Sequence, residues 1–373
     1  MNILMGALQP GGGIRTFFRY IYGQPDFDRC TFTLVAPDHG LGEYLDEFLP
    51  PERIKLIPTQ PDSVKYISRI RNIVRKERFD LVHSHGFTAG ALTEVAIIGR
   101  KIPHLMTGHD MFTDPLFSGA RGKLKHFLLA VLLQRITAIH TVTEDAKSNM
   151  LEFFPGISEQ SIFPILHGID TEFFGSGESY DLKAQIGLSP DVPLIGFFGR
   201  FMSPKGFRSV VEALDYIRRQ FGVQALPHVA TFGWGGFIRE DYAYLQDLGL
   251  ADYFHQLPQT NNMPSALRSV DLVVMPSRWE ACGLLAMECL TAGVPIIGSD
   301  CIGLREVLDG SPAVTVPVGD AEKLGVAILK DLADLKRRRE QFTEYQPIAA
   351  ERFEVKRPAR ELLQLYKKIN NSR

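Results

Sequence analysis

Short apolar runs alternate with helix-period stretches along nearly the whole chain. Ile3–Leu8 reads as a buried strand, followed by Gly11-Gly12-Gly13 and an amphipathic stretch to Tyr22. Thr31–Ala36 is the next strand, and a basic helix around Val64–Arg78 leads into Leu81–His85. His104–Thr107, Ala138–Val142 and Ile162–Leu166 continue the series. Strands of this length with helices between them predict a doubly wound parallel sheet. The rhythm then restarts. Val192–Gly199 is rich in Val, Ile and Phe, and a helix is expected from about Gly206 to Phe221. Further strands are expected at His228–Phe232, Tyr253–Leu257, Leu272–Met275, Pro295–Gly298 and Ala313–Val316.

Gly175–Pro193 reads as a linker between two such sheets. After Lys336-Arg337-Arg338-Arg339, taken as a solvated helix face, a break is expected near Gln346-Pro347. One more amphipathic helix follows at roughly Ala359–Ile369. The expected division is 1–175 plus about 355–373 for one domain and 176–354 for the other. A length of 373 residues suits two domains.

Composition narrows the class without naming it. The hydrophobic fraction of 45% and charged fraction of 23% are those of a globular protein. A net charge of -2 gives no general pull toward nucleic acid. Charge is nonetheless uneven: between Val64 and Arg135 twelve Lys/Arg face five Asp/Glu, a local +7 that leaves -9 for the remainder. Within that stretch, the apolar run Phe127–Leu133 lies between basic residues. It reads first as a buried helix and second as a segment resting on a membrane surface. Cys30, Cys282, Cys289 and Cys301 form no framework, which fits a reducing, cytoplasmic compartment. The N-terminal apolar run is too short for a signal peptide, and no run is long enough to span a bilayer.

Candidate chemistry lies at strand ends. Pro276–Pro295 carries Glu280 in a loop, then Ala281, Cys282, Gly283, Leu284 and Leu285 where a helix begins, and Glu288 inside that helix. Free N–H groups at a helix start suit a diphosphate. A carboxylate such as Glu288 can accept from both hydroxyls of a ribose. Gly199-Arg200 and Lys205-Gly206 follow the strand Leu194–Phe198 and offer a planar fork and a point charge to phosphate. In the first half, Gly11–Gly13 is an imperfect dinucleotide loop, since the third glycine of the fingerprint would fall at Thr16. His109 follows a strand in a glycine-bearing loop and suits a polar contact with a ligand. His83 and His85 share one face of a strand. An H-x-H pair could ligate a metal, but no acid and histidine set downstream completes a site. Asp26-Phe27-Asp28 reads as turn chemistry.

In combination these motifs resemble the retaining glycosyltransferases of family 4. Glu280 and Glu288 form the E-x7-E motif, and Gly199-Arg200 with Lys205-Gly206 match G-R…K-G. His167–Phe174 resembles the segment that crosses between domains, Phe232–Gly235 the glycine-bearing strand end, and Gly303–Glu306 a G-G-x-x-E segment lacking its first glycine. Cys282 stands where the family usually has an aromatic residue, and His167 where it has Asn.

The resemblance implies a GT-B fold: two Rossmann-like domains facing a cleft, with the last helix crossing back. It implies that Arg200 and Lys205 hold the donor phosphates and that Glu288 binds the ribose. Glu280 and the backbone of Ala281–Leu285 would lie against the sugar and diphosphate, His109 would contact the sugar, and Gly12 and Gly13 would approach the diphosphate. The activity implied is hexosyl transfer from a UDP- or GDP-linked sugar to a glycan or glycolipid, with no cofactor or metal, in a setting such as envelope polysaccharide or lipopolysaccharide synthesis. The basic segment adds an expected peripheral contact with anionic membrane at its inner face. Alternatives left open are a nucleotide-sugar- or glycan-binding protein without turnover, an epimerase of the same fold and, less well matched, a dehydrogenase.

Overall fold

The structure, a computed structural model, describes residues 1–371. The chain divides into two compact units: Met1–Gly168 with Val355–Arg373, here the N-unit, and Ile169–Glu354, the C-unit. The units change at 168–169, against an expected 175–176. Gly175–Pro193 is therefore part of the C-unit. It contains the short helix Leu182–Gln185, whose Lys183 pairs at 2.8 Å with buried Asp271.

The N-unit holds a seven-stranded parallel sheet: β1 (Asn2–Ala7), β2 (Thr31–Ala36), β3 (Ile54–Pro58), β4 (Leu81–His85), β5 (His104–Gly108), β6 (Ala138–Thr141) and β7 (Ile162–Pro164). Their spatial order is β3-β2-β1-β4-β5-β6-β7. β3 is the strand the apolar pattern did not reveal. It is an edge strand with no fully buried residue, and Lys55 and Pro58 interrupt its run. The C-unit repeats the plan with six strands: β8 (Leu194–Phe198), β9 (His228–Phe232), β10 (Phe254–Leu257), β11 (Leu272–Met275), β12 (Ile296–Ser299) and β13 (Val314–Val316), in the order β10-β9-β8-β11-β12-β13. Central strands such as β4 and β8 are buried at every position, because helices cover both faces of a parallel sheet.

Each sheet reverses its winding direction once, between β1 and β4 and between β8 and β11. At such a switch the loops leaving neighbouring strands diverge and open a crevice at the carboxyl edge. The sites described below are built on those loops.

Three expectations about helices are corrected. The helix Leu335–Phe353 runs through Pro347 without a break. Proline removes one donor from the ladder, but the helix is held from its sides. Arg339 reaches Asp271 at 2.6 Å, Gln346 reaches the Thr291 carbonyl at 3.1 Å, and Phe342 and Phe353 are fully buried. The run Lys336–Arg339 is not a uniformly solvated face, since the mostly buried Arg338 pairs with Asp331 at 3.0 Å. The helix Gly119–Leu133 is not a buried one. Leu124, Phe127, Leu128 and Val131 are all about half exposed or more, and only Gly122, Leu129 and Leu133 are buried. The reason lies in its spacing: Leu129 and Leu133 already supply the inward stripe, so the other apolar positions face outward. Asp26 lies in a 3-10 turn, Pro25–Phe27, and Asp28 pairs with Arg53.

Candidate active site

At the C-unit switch point, β8 delivers Gly199-Arg200 and β11 delivers Pro276–Gly283. Two glycines lock the loops together. Gly206 sits at φ 70°, and a Cβ there would lie 1.9 Å from the carbonyl oxygen of Pro276. Gly303 sits at φ 78°, where a Cβ would meet the carbonyl oxygen of Glu280 at 2.1 Å. No other residue fits either place without moving backbone. The Arg278 N–H donates to the Pro204 carbonyl at 2.7 Å, and the Glu280 N–H to that of Ile302 at 3.2 Å. The sequence pattern singled out these loops one at a time; the structure joins them.

The junction holds Lys205 against Glu280. The Lys205 ammonium donates to both carboxylate oxygens, at 2.7 and 3.0 Å, and Ser277 donates to Oε1 at 2.7 Å. Glu280 is buried while Lys205 is one-quarter exposed, so the cation keeps an open side. Arg200 is exposed and has no ion-pair partner among the described residues. Ala281 and Cys282 are half-buried and Gly283 buried just before the helix Leu284–Ala292, and Leu284 and Leu285 form its half-buried first turn. Glu288 is half-buried one turn further on. Burial pushes the thiol of neighbouring Cys301 up to about 11, so it stays neutral beneath the loop. The arrangement presents two cations and a helix start within one unit, which suits a diphosphate. Ser277 was missed because nothing in P-S-R-W-E marks a serine that orients the acid three residues on.

The N-unit switch point has different chemistry. Gly12 adopts φ 55° as the residue before the helix Gly13–Tyr22, and open space surrounds the Cα of Gly13. His109 follows β5, half-buried, with its ring 5.0 Å from that of Phe17. Behind it lies a cluster of His83, His85, His140, Tyr22, Thr107 and Tyr366, all buried. Burial, reinforced by the neighbouring imidazoles, holds His83, His85 and His109 well below the ordinary histidine range. Burial likewise holds His140 and His167 to about 4. All five are neutral at physiological pH. His83 and His85 face the same way, their ring centres 4.2 Å apart. Their partners are tyrosine and threonine hydroxyls and His109, and no group of three or more His, Cys, Asp or Glu among the described residues is placed to hold a metal ion. Tyr22 and Tyr366 went unread because they lie on helices remote in sequence from β4.

The profile described as Glycosyltransferase Family 4 matches residues 11–173, and the one described as Glycosyl transferases group 1 matches 192–334. Together they span both sheets and most of the chain. The chain belongs to the family 4 glycosyltransferases. It is 26% identical over 304 residues, 76% of each chain, to the UDP-Gal:alpha-D-GlcNAc-diphosphoundecaprenol alpha-1,3-galactosyltransferase of Escherichia coli. It is 31% identical over 181 residues to the lipopolysaccharide core biosynthesis mannosyltransferase of Rhizobium meliloti; that match spans about half of either protein, 46% of this chain and 47% of the relative. Among solved structures, the Anabaena Alr3699/HepE protein in complex with UDP-glucose superimposes with a TM-score of 0.83 over 99% of this chain and all of that one, at 18% identity. This family 4 glycosyltransferase therefore has the GT-B fold, and the reading as a binding protein without turnover is set aside.

Proposed function

We propose that the C-unit switch point binds a UDP- or GDP-linked hexose and that the enzyme transfers the hexosyl unit, with retention at the anomeric carbon, to a glycan or glycolipid acceptor of envelope polysaccharide or lipopolysaccharide synthesis. The observation that carries this reading is the seat of Lys205 on Glu280 beside the exposed Arg200. As the bond to the diphosphate breaks, negative charge grows on the leaving phosphate, and fixed cations stabilise it without reorganising. They serve where other transferases use a metal, so a chelator is expected to leave turnover unchanged. Glu288 takes the ribose, and the backbone of Ala281, Cys282, Gly283, Leu284 and Leu285 lies along the diphosphate and sugar. Gly12, Gly13 and His109 are the N-unit's own contacts with substrate. The Escherichia coli and Rhizobium relatives named above, one using a UDP-linked sugar and one acting in lipopolysaccharide core synthesis, support the donor and acceptor classes.

A thermal-shift series with UDP, GDP and ADP, each with its common sugar conjugates, tests the donor. Binding raises stability by about 2.7 kcal/mol at a hundredfold excess over Kd. A shift with the uridine or the guanosine set is expected, and stabilisation by adenosine conjugates alone would overturn the donor assignment.

The acceptor side is proposed to rest on anionic membrane through the helix Gly119–Leu133. Leu124, Phe127, Leu128 and Val131 recur at helical spacing on its exposed face, with Arg121, Lys123 and Lys125 exposed beside them. No helix of the described residues is long and apolar enough to cross a membrane, so the contact would be peripheral.

A further inference from the structure

The buried cluster of the N-unit contains enough hydrogen-bond contacts to fix where every proton lies. His140 Nε2 is 3.2 Å from the carbonyl oxygen of Ile165. A carbonyl only accepts, so Nε2 carries the proton, and Nδ1 of this neutral ring accepts. Thr107 lies 3.0 Å from that Nδ1 and must donate to it. With its only proton spent, Thr107 accepts from His83 Nε2 at 2.7 Å. His83 Nδ1 is then an acceptor, and the Tyr366 hydroxyl at 2.6 Å donates to it.

The remaining contacts surround Tyr22. Its hydroxyl lies 3.2 Å from that of Tyr366, 3.0 Å from His83 Nδ1 and 3.1 Å from His85 Nε2. Tyr366 has no second proton to give, so only Tyr22 can fill the Tyr22–Tyr366 contact, leaning also toward His83. His85 Nε2 must then donate to the Tyr22 oxygen. His85 Nδ1 consequently accepts, and its proton comes from His109 Nε2 at 3.1 Å. The opposite direction, with Tyr22 donating to His85, leaves the contacts of Tyr22 with Tyr366 and His83 without a proton. In an enclosed network an unfilled contact is costly, so the fully bonded pattern prevails.

We infer that this relay holds His109 as its Nε2–H tautomer and so presents Nδ1 as a hydrogen-bond acceptor, selecting a ligand hydroxyl and rejecting an acceptor-only group such as a carboxylate at that position. No hydrogen bond among the described residues engages Nδ1 of His109. A second acceptor in the same cluster supports the point. His167 donates from Nδ1 to the Gly168 carbonyl, and its buried Nε2 has no partner. The ring of Phe17 packs on both histidines. Tyr22 and His85 are positioning residues, acting on the ligand only through His109. The role of His109 toward a sugar hydroxyl rests on the function proposed above; its tautomer does not.

The test is a long-range proton–nitrogen correlation spectrum of the full chain labelled at histidine, with His109→Gln assigning the signal. Wild type without ligand should show His109 protonated at Nε2; protonation at Nδ1 overturns the inference outright. Tyr22→Phe keeps the packing against Phe17, Phe27 and Phe32 and removes the acceptor for His85. Both tautomers of His109 should then appear, and the KM for the nucleotide-sugar should rise about 2- to 12-fold with kcat nearly unchanged. Tyr366→Phe is the control. Tyr22 can turn its proton to His83, the direction at His85 survives, and His109 should be unaltered. Equal effects of the two substitutions on His109 would mean that the Tyr22 hydroxyl does not set its tautomer, against the inference. If UDP-glucose raises the melting temperature yet leaves the Nδ1 resonance in place, the assigned contact of His109 fails while the relay stands.

Discussion

The two switch points share a topology and differ in charge. In the C-unit the loops after β8 and β11 gather Arg200, Lys205 and Glu280, all ionic, with the cations on the open side. In the N-unit the loops after β1, β4 and β5 back onto five neutral histidines and two tyrosines, of which His83, His85, His109, His140 and both tyrosines are tied by hydrogen bonds through Thr107, with no ion pair among them in the described residues. One crevice answers an anion; the other answers groups that exchange neutral hydrogen bonds. A doubly wound sheet dictates where a ligand binds, and the loop residues dictate what it is.

Acid should separate the units most strongly. His140 and His167 are held to about 4 in the folded state, against about 6.5 in an unfolded chain. The unfolded chain therefore binds more protons between those values. Stability is level above pH ~6.5 and falls as pH drops toward 4, by about 3 kcal/mol for each of the two histidines. Hydrogen exchange followed segment by segment should show N-unit strands β4 to β6 losing protection through this window before β8 and β11. Equal loss in both units would remove the contrast.

Lys205→Ala strikes the other crevice. It leaves the Glu280 carboxylate buried without its cation, which costs roughly 3–5 kcal/mol in comparable pairs. Both melting temperature and turnover should fall. Adding Glu280→Gln should recover stability and not turnover, whereas joint recovery would make the pair purely structural. Arg200→Ala is narrower. An exposed, unpaired side chain contributes little to folding, so the melting temperature should hold. Loss of charge-assisted bonds worth ~1.5–3 kcal/mol should cut kcat/KM by roughly 10- to 150-fold. Activity within twofold of wild type would remove Arg200 from the site. Phe127→Ser should be the mildest, changing stability by no more than ~0.5 kcal/mol. Flotation with anionic vesicles should nevertheless weaken, and unchanged flotation would break the membrane reading of the helix Gly119–Leu133.

Much of this was legible in the sequence where local pattern and local function coincide. Buried parallel strands tend to be apolar runs, so β1, β8 and β11 announce themselves, and β4 does so only through Leu81 and Val82. Lys205 and Glu280 each stood out at a strand end. Their direct pairing did not, because it arises from two loops 75 residues apart meeting at a switch point. The exposed face of Gly119–Leu133 was misjudged for a related reason: apolar spacing shows that a helix is amphipathic and leaves open how much of it a neighbour covers. β3 escaped because an edge strand need not be apolar. Pro347 misled because a helix anchored along its sides tolerates a missing donor.

The last helix, Lys356–Asn371, lies in the N-unit, where Tyr366 supplies the proton that His83 accepts. The C-unit is a single continuous stretch of chain. During synthesis the usual order of assembly is thus inverted. The part made first must wait with its histidines and Tyr22 short of a partner, while the part made second can close as soon as residue 354 clears the ribosome. The stretch Val355–Arg373, made after the C-unit, is what completes the older half.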